Sequence, residues 1–282
     1  MEITEANRTA DEVARRFSNQ GSARRWNDMY ASETLCPEEH NYRLRRNRAI
    51  QFLLPTLPPQ GRVLDLGCGA GPTLLELRRR GIDCVGVDAS EDMLQHARQR
   101  LLEHGLDPAG LLQADCRKTP FPDAHFDAVL CIGVISYLPD YEPALREIQR
   151  ILKPGGSLII SWRNATHLAA SDPVRIVRGL AKRLKPRRTT GAHSSPAFVP
   201  GRHLNYRKVT RKIERLGFQY AGFAGIGFGP YQWNGVPLFS ESRSIRISDT
   251  LSRILEGVRA HWVLRQLTDV SLWVYRRGEE SR

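Results

Sequence analysis

From Arg62 onward, short apolar runs alternate with amphipathic segments. RVLDLG (62–67), CVGVDA (84–89), LLQAD (111–115), FDAVLCIG (126–133) and SLIISW (157–162) have strand length and strand composition. Between them, 73–81, 90–105 and 141–156 repeat their apolar positions at helical spacing. Ser90 reads as an N-cap followed by two acids, Gly105 as a stop, and Lys-Pro-Gly-Gly closes the third helix. Nearly continuous apolar strands separated by helices predict an α/β chain with a mostly parallel, doubly wound sheet covered on both faces. Residues 11–54 read as helices with turns, ended by LLPTLPPQG (53–61). After Trp162 the pattern loosens. A basic segment leads to a helix at 205–218, a strand at 220–228, a helical stretch near 249–265 and a last strand at 270–277. An antiparallel pairing of the last two strands leaves about 40 residues between them, an excursion of functional or capping length. The expected parts are a helical segment (1–60), a ligand-binding core (61–165) and a cap region that includes the last two core strands (166–282).

Composition narrows the class. The 282 residues are 41% hydrophobic, enough for a sizeable core. The charged N-terminus lacks the apolar region of a secretory signal, and no run reaches the ~20 apolar residues of a membrane span. Five cysteines form no CxxC pair and no metal-ligand spacing with histidine, so no metal site is expected. A cytoplasmic enzyme fits. The net charge of +12 is uneven: residues 1–150 hold 19 Lys and Arg against 22 Asp and Glu, and residues 151–282 hold 23 against 8. The basic surplus thus belongs to the C-terminal half and bears on its partner.

The strand 62–67 runs into VLDLGCGAG, with Gly67, Gly69 and Gly71 spaced as GxGxG. In doubly wound sheets ligands bind beyond the carboxyl ends of the strands, where glycine lets backbone approach a ligand closely. A dinucleotide loop needs its third glycine one residue later and a pyrophosphate cradle on the helix, whereas here Pro72 follows. Asp88 ends the second strand, 17 residues beyond Gly71, where an acid can accept from both ribose hydroxyls. Asp115 ends the third, where an acid can face an adenine amino group. The set suits an adenosine without phosphates.

VLDLGCGAG, GVDAS, ADCRKTPFPDAHFDAVLCIGVISYLPD and ALREIQRILKPGGSLIIS, in this order over about residues 61–162, resemble the class I S-adenosylmethionine-dependent methyltransferases, in the branch that includes quinone and small-molecule methyltransferases. The resemblance implies a seven-stranded, mostly parallel Rossmann-like sheet and S-adenosylmethionine as cofactor. It implies that Asp65, Gly67, Gly69 and Gly71 line the methionine and ribose, and that Asp88 holds the ribose. Ala89 and Met93 would pack near the adenine, Asp115 and the Cys116 backbone would fix its edge, and Ile132 with Gly133 would lie under the sulfonium. Relatives often supply an arginine for the cofactor carboxylate. Arg43, 20 residues before Val63, has that spacing, and a guanidinium grips a carboxylate through two parallel bonds. Tyr30 is a candidate to close over the methyl donor.

Methyl transfer is an in-line displacement at an activated carbon, so much of the work is positioning, and a base is needed only for a protonated nucleophile. Many relatives carry His-His after the fourth strand, where this chain has Ser136-Tyr137. The catalytic candidates are therefore Tyr137, shaping the acceptor pocket or donating a hydrogen bond, and His203, which like His193 in the later insertion is a candidate base by its pKa. Trp162, Arg163, Asn164 and His167 follow the fifth strand, also on the ligand side, and His125 reads as a surface residue.

Val174, Val177, Leu180 and Leu184 recur at helical spacing among arginines and lysines. This basic amphipathic pattern suits peripheral contact with an anionic membrane, an anionic acceptor, or a cap on the core. The leading reading is methyl transfer to a small organic or lipid-like acceptor, roofed by the aromatic stretch 228–239. Two others stand beside it. A nucleic-acid methyltransferase would use the basic half as its footprint, although no RNA-binding module is appended. A cofactor-binding partner subunit would have no activity of its own.

Overall fold

The computed structural model describes residues 37–166, 201–227, 232–233, 236–237, 239–257 and 261–279. Helix α1 (Pro37–Leu53) leads into β1 (Val63–Leu66), α2 (Pro72–Arg79), β2 (Cys84–Asp88), α3 (Glu91–Glu103) and β3 (Leu111–Gln113). β4 (Phe126–Ile132), α4 (Glu142–Ile151) and β5 (Leu152–Asn164) follow. Next come β6 (His203–Leu204), α5 (Tyr206–Arg215), β7 (Phe218–Ile226), and the small hairpin of β8 (Gln232–Trp233) and β9 (Val236–Pro237). α6 (Glu241–Gly257), α7 (His261–Leu267) and β10 (Val270–Arg277) complete the order.

The main sheet runs β3-β2-β1-β4-β5-β10-β7, with short β6 beside β5. All its pairings are parallel except those of β10, which lies antiparallel between β5 and β7. The seven strands of the main path agree with the expected sheet, and the strand order reverses between β1 and β4, where ligands bind in such sheets.

Alternation along the strands divides the core between two faces. Val63, Leu130, Ile159 and Val274 meet Ala49, Ile50 and Leu53 of α1 and the buried leucines of α2 and α3. Leu64, Val129, Ile160 and Trp273 meet Leu145 and Ile148 of α4, Val209 and Ile213 of α5, and Leu264 of α7. The helix expected to reach 156 stops at Ile151, and Leu152 already pairs with Phe126 of β4. Pro154 has no N–H to continue a helix and forces Lys153 towards extended backbone, so Lys153–Gly156 pass as an irregularity before Ser157 pairs with Ala128. The helical stretch expected near 249–265 is two helices, α6 and α7.

Among the described residues no helix is long and apolar enough to cross a membrane. Tyr30, His167, the 173–188 pattern and most of the stretch 228–239 lie outside the described residues.

Candidate functional site

The carboxyl ends of β1, β2, β3 and β4 converge at the reversal of strand order. At β1, Gly67, Gly69 and Gly71 all have left-handed backbone, with φ of 76°, 54° and 74°. Each is glycine for a different reason. A side chain at Gly67 would run into Val134, and one at Gly71 would press on Ala97 of α3. At Gly69 a Cβ would meet only Met93 Cε, at 3.6 Å, so the loop is open there. Gly71 caps α2, and Pro72 takes the first helical position, where its missing N–H costs nothing.

Asp88 braces the loop. Gly69 N–H donates to its Oδ2 at 2.9 Å, and Ser90 N–H donates to its Oδ1 at 2.9 Å. Burial pushes this carboxyl above its ordinary value, and the Ser90 and Gly69 N–H bonds oppose the shift. Ser90 is the expected cap of α3: its Oγ accepts from Met93 N–H at 3.3 Å. Met93 is buried beside the glycine loop, and half-buried Ala89 accepts from Gln113 Nε2 through its carbonyl.

Asp65, on β1, is buried, and its Oδ2 has no hydrogen-bond partner. Burial first, and then the charge of Asp88, raise its carboxyl to about 7. Asp115, after β3, is held by Arg117. Its Oδ1 accepts from Arg117 N–H (2.9 Å) and Nε (3.1 Å), and its Oδ2 from Nε (3.0 Å) and Nη2 (2.7 Å). Burial would raise this carboxyl, but the Arg117 bonds carry it below its ordinary value. Burial lifts the neighbouring Cys116 thiol to about 12. Ile132, half-buried, ends β4 opposite Ser161 of β5, and Gly133 follows with φ 79°.

The arginine packed against the end of β4 is Arg45, not Arg43. Arg43 is exposed on α1, whereas Arg45 is 8% exposed and its guanidinium packs over Gly133, so that a Cβ there would fall 2.9 Å from its Nη1. Two residues along a helix turn the side chain about 200°, onto the opposite face. Arg45 also lies over the Tyr42 ring at 4.5 Å, and its Nε has no hydrogen-bond partner. Sequence spacing pointed to Arg43, whereas the phase of α1, in which Arg45 shares a face with the buried Ala49 and Leu53, turns Arg45 inward.

Tyr137 lies in the turn after β4, half-buried, with its ring against Gly201. Arg202 N–H donates to the Ser136 carbonyl at 2.7 Å, and Arg163 N–H donates to Ser136 Oγ at 3.1 Å. The turn bearing Tyr137, the end of β5 and the segment bearing exposed His203 are thereby joined. Trp162, expected on the ligand side, is instead fully buried and stacked on Trp273 at 5.6 Å, because alternation along β5 turns it into the core. His125 is not a free surface residue: it stacks on Phe121, and Arg62 Nη1 lies 2.6 Å from its Nε2.

A second tie went unnoticed in the sequence. His40 Nε2, on α1, lies 3.1 Å from Asp249 Oδ1 on α6, and Gly227, at the end of β7, leaves room for the Asn41 side chain. The start of the helix that carries Arg45 is thus fastened to the C-terminal excursion.

A methyltransferase domain model matches residues 64–160, the stretch holding the glycine loop and all three acids. The chain is 40% identical over 117 residues to a demethylmenaquinone methyltransferase of Thermus thermophilus, covering 41% of this chain and 52% of that protein. It is 30% identical over 183 residues to a ubiquinone biosynthesis O-methyltransferase of Methylococcus capsulatus, covering 64% of this chain and 73% of that one. The chain spans about half the length, or less, of several curated relatives that it matches. Among solved structures, a magnesium protoporphyrin IX methyltransferase of Synechocystis shares the fold at a TM-score of 0.62 and 14% identity, over 96% of this chain and 100% of that one. With the domain match over the glycine loop and the acids, and a relative 30% identical over 73% of its length, the chain belongs to the class I S-adenosylmethionine-dependent methyltransferase family.

Proposed function

We propose that this protein transfers a methyl group from S-adenosylmethionine to a small organic or lipid-like acceptor. The observation that carries the reading is the left-handed glycine loop, open at Gly69 and braced by Asp88. The residues present fit the cofactor. Asp65, Gly67, Gly69 and Gly71 line its methionine and ribose side, Asp88 takes the ribose hydroxyls, and Ala89 and Met93 flank the adenine. Asp115 and the Cys116 backbone would hold the adenine edge, and Ile132 with Gly133 would support the sulfonium side. The carboxylate grip passes from Arg43 to Arg45, whose buried cation has hydrogen-bonding capacity to spare.

When bound, the cofactor supplies a methyl carbon already activated by a positive sulfur. The chain's task is then to fix that carbon and the acceptor in line. Arg45 and Asp65 hold the two ends of the amino-acid portion, and the glycine loop sets the depth of the ribose. Tyr137 shapes the acceptor side. His203, on the segment joined to the Tyr137 turn, receives the proton of a hydroxyl or amine acceptor. Tyr30 is the residue we assign to cover the methyl donor.

The acceptor class draws on the relatives, whose names include quinone, sterol and phosphatidylethanolamine methyltransferases. A cytoplasmic protein in peripheral contact with anionic membranes accords with free thiols at Cys68, Cys84, Cys116 and Cys131 and with exposed Arg207, Lys208, Arg211 and Arg215 on α5. Labelled methyl transfer into a cell extract separated into lipid, metabolite and RNA fractions tests the proposal. Label is expected in the lipid or metabolite fraction. Label confined to RNA would replace the acceptor class, and cofactor binding without any transfer would leave only a partner-subunit role.

A further inference from the structure

Asp115 is already engaged by Arg117. A carboxylate offers about four lone-pair positions, and Arg117 takes two contacts on each oxygen. The Arg117 side chain is only 15% exposed, so the guanidinium is packed in place rather than swinging in solvent. Asp115 remains 35% exposed, so one side of the carboxylate is open to an incoming donor.

We propose that Arg117 sets the base specificity of the cofactor site by competing with the adenine 6-amino group for Asp115. This inference rests on the cofactor reading above. The 6-amino group must displace one guanidinium contact to reach Asp115, so part of its hydrogen-bond energy goes into breaking an existing charge-assisted bond. The displaced N–H donor can instead serve a 6-oxo group, which an unaccompanied carboxylate would repel. With Arg117 in place, the site therefore tolerates both edges. Without the guanidinium, Asp115 keeps only the backbone N–H of residue 117 on Oδ1, and its half-buried carboxylate favours the 6-amino edge. Arg117 is a positioning residue that acts through Asp115 and touches none of the reacting atoms.

The test is calorimetric binding of S-adenosylhomocysteine and of its 6-oxo analogue, S-inosylhomocysteine, to the full chain and to Arg117→Met, which keeps the aliphatic stem. The variant is expected to bind the 6-amino ligand more tightly, approaching tenfold, the factor equivalent to about 1.4 kcal/mol. It should bind the 6-oxo ligand no better, or worse, so the ratio of the two affinities rises. Arg117→Lys frees fewer contacts and should move the ratio in the same direction by less, which covers a methionine variant that does not fold. In the Asp115→Asn background the same substitutions should give the 6-amino ligand no gain. A purely structural Arg117 would weaken both ligands equally, and an unchanged ratio would overturn the inference. Failure of the unaltered chain to bind S-adenosylhomocysteine would overturn the cofactor reading and this inference together, whereas binding with a fixed ratio overturns this inference alone.

Discussion

Replacing Asp65 with asparagine should change how the stability of this protein depends on pH. Asp65 is 2% exposed, and its Oδ2 meets no partner. Burial and the nearby Asp88 charge raise its carboxyl from 3.8 to about 7. The folded chain therefore keeps a proton that the unfolded chain gives up. The stabilisation is fully present below the unfolded value and is lost as pH climbs from about 4 to about 7. At 1.36 kcal/mol per pKa unit, the loss at neutral pH is roughly 4 kcal/mol. Asparagine matches the protonated acid in shape and never ionises, so the variant escapes that loss. It introduces an amide donor into the same buried position, at a cost of about 1–3 kcal/mol. At about pH 8 the variant should be more stable by roughly 1–3 kcal/mol, the difference between the two terms. The melting temperature should rise by about 2–4 °C for each kcal/mol. Near pH 5 most of the advantage should vanish or reverse, since the unaltered Asp65 is still largely protonated in the folded chain. Urea unfolding of both chains at several pH values between these limits measures the difference directly. Parallel stability profiles, offset by a constant, would refute the account of Asp65 as a raised, unpaired carboxyl.

Asp88→Ala should weaken S-adenosylhomocysteine binding by at least ~1.5 kcal/mol, the low end for a hydrogen bond to a charged group, as read by calorimetry on a folded variant. Arg45→Ala should weaken S-adenosylhomocysteine but spare methylthioadenosine, which lacks the carboxylate, whereas exposed Arg43→Ala should affect neither; equal losses on both ligands would make Arg45 a support of the fold. Gly67→Ala should destabilise by about 2 kcal/mol or more in thermal unfolding, because the left-handed backbone and the Val134 side chain both resist a Cβ. Burial raises the thiols of Cys68, Cys84 and Cys131 well above their ordinary value and that of Cys116 to about 12, so peptide mapping after alkylation near pH 8 should find these four unlabelled until urea unfolds the chain.

What the sequence determined by itself was local. Apolar runs of strand length, the cap at Ser90 and the GxGxG spacing each depend on residues within a turn of one another. The parallel strands, the loop at Gly67–Gly71 and the acids at Asp88 and Asp115 therefore stand where short-range pattern put them. The boundary at Ile151 was not among them: the Lys-Pro-Gly-Gly ending suggested a helix to 156, whereas the pairing of Leu152 with Phe126 ends it at Ile151. Tertiary structure decided whatever depended on which side of an element faces which neighbour. Arg43 and Arg45 are equivalent in composition and spacing, and only the packing of α1 on the sheet turns one to solvent and the other onto Gly133. His40 finds Asp249 across 209 residues, which no periodicity could announce. Trp162 looked like a lining residue by its place after the strand, yet the two-residue alternation of β5 commits it to the core beside Trp273. The capture of Asp115 by Arg117 needs the side chain to fold back across a tight turn, a geometry that the adjacent letters D-C-R do not specify. Short-range backbone preference is written in neighbouring residues; the direction of a side chain is settled by packing against partners that the chain brings from far away.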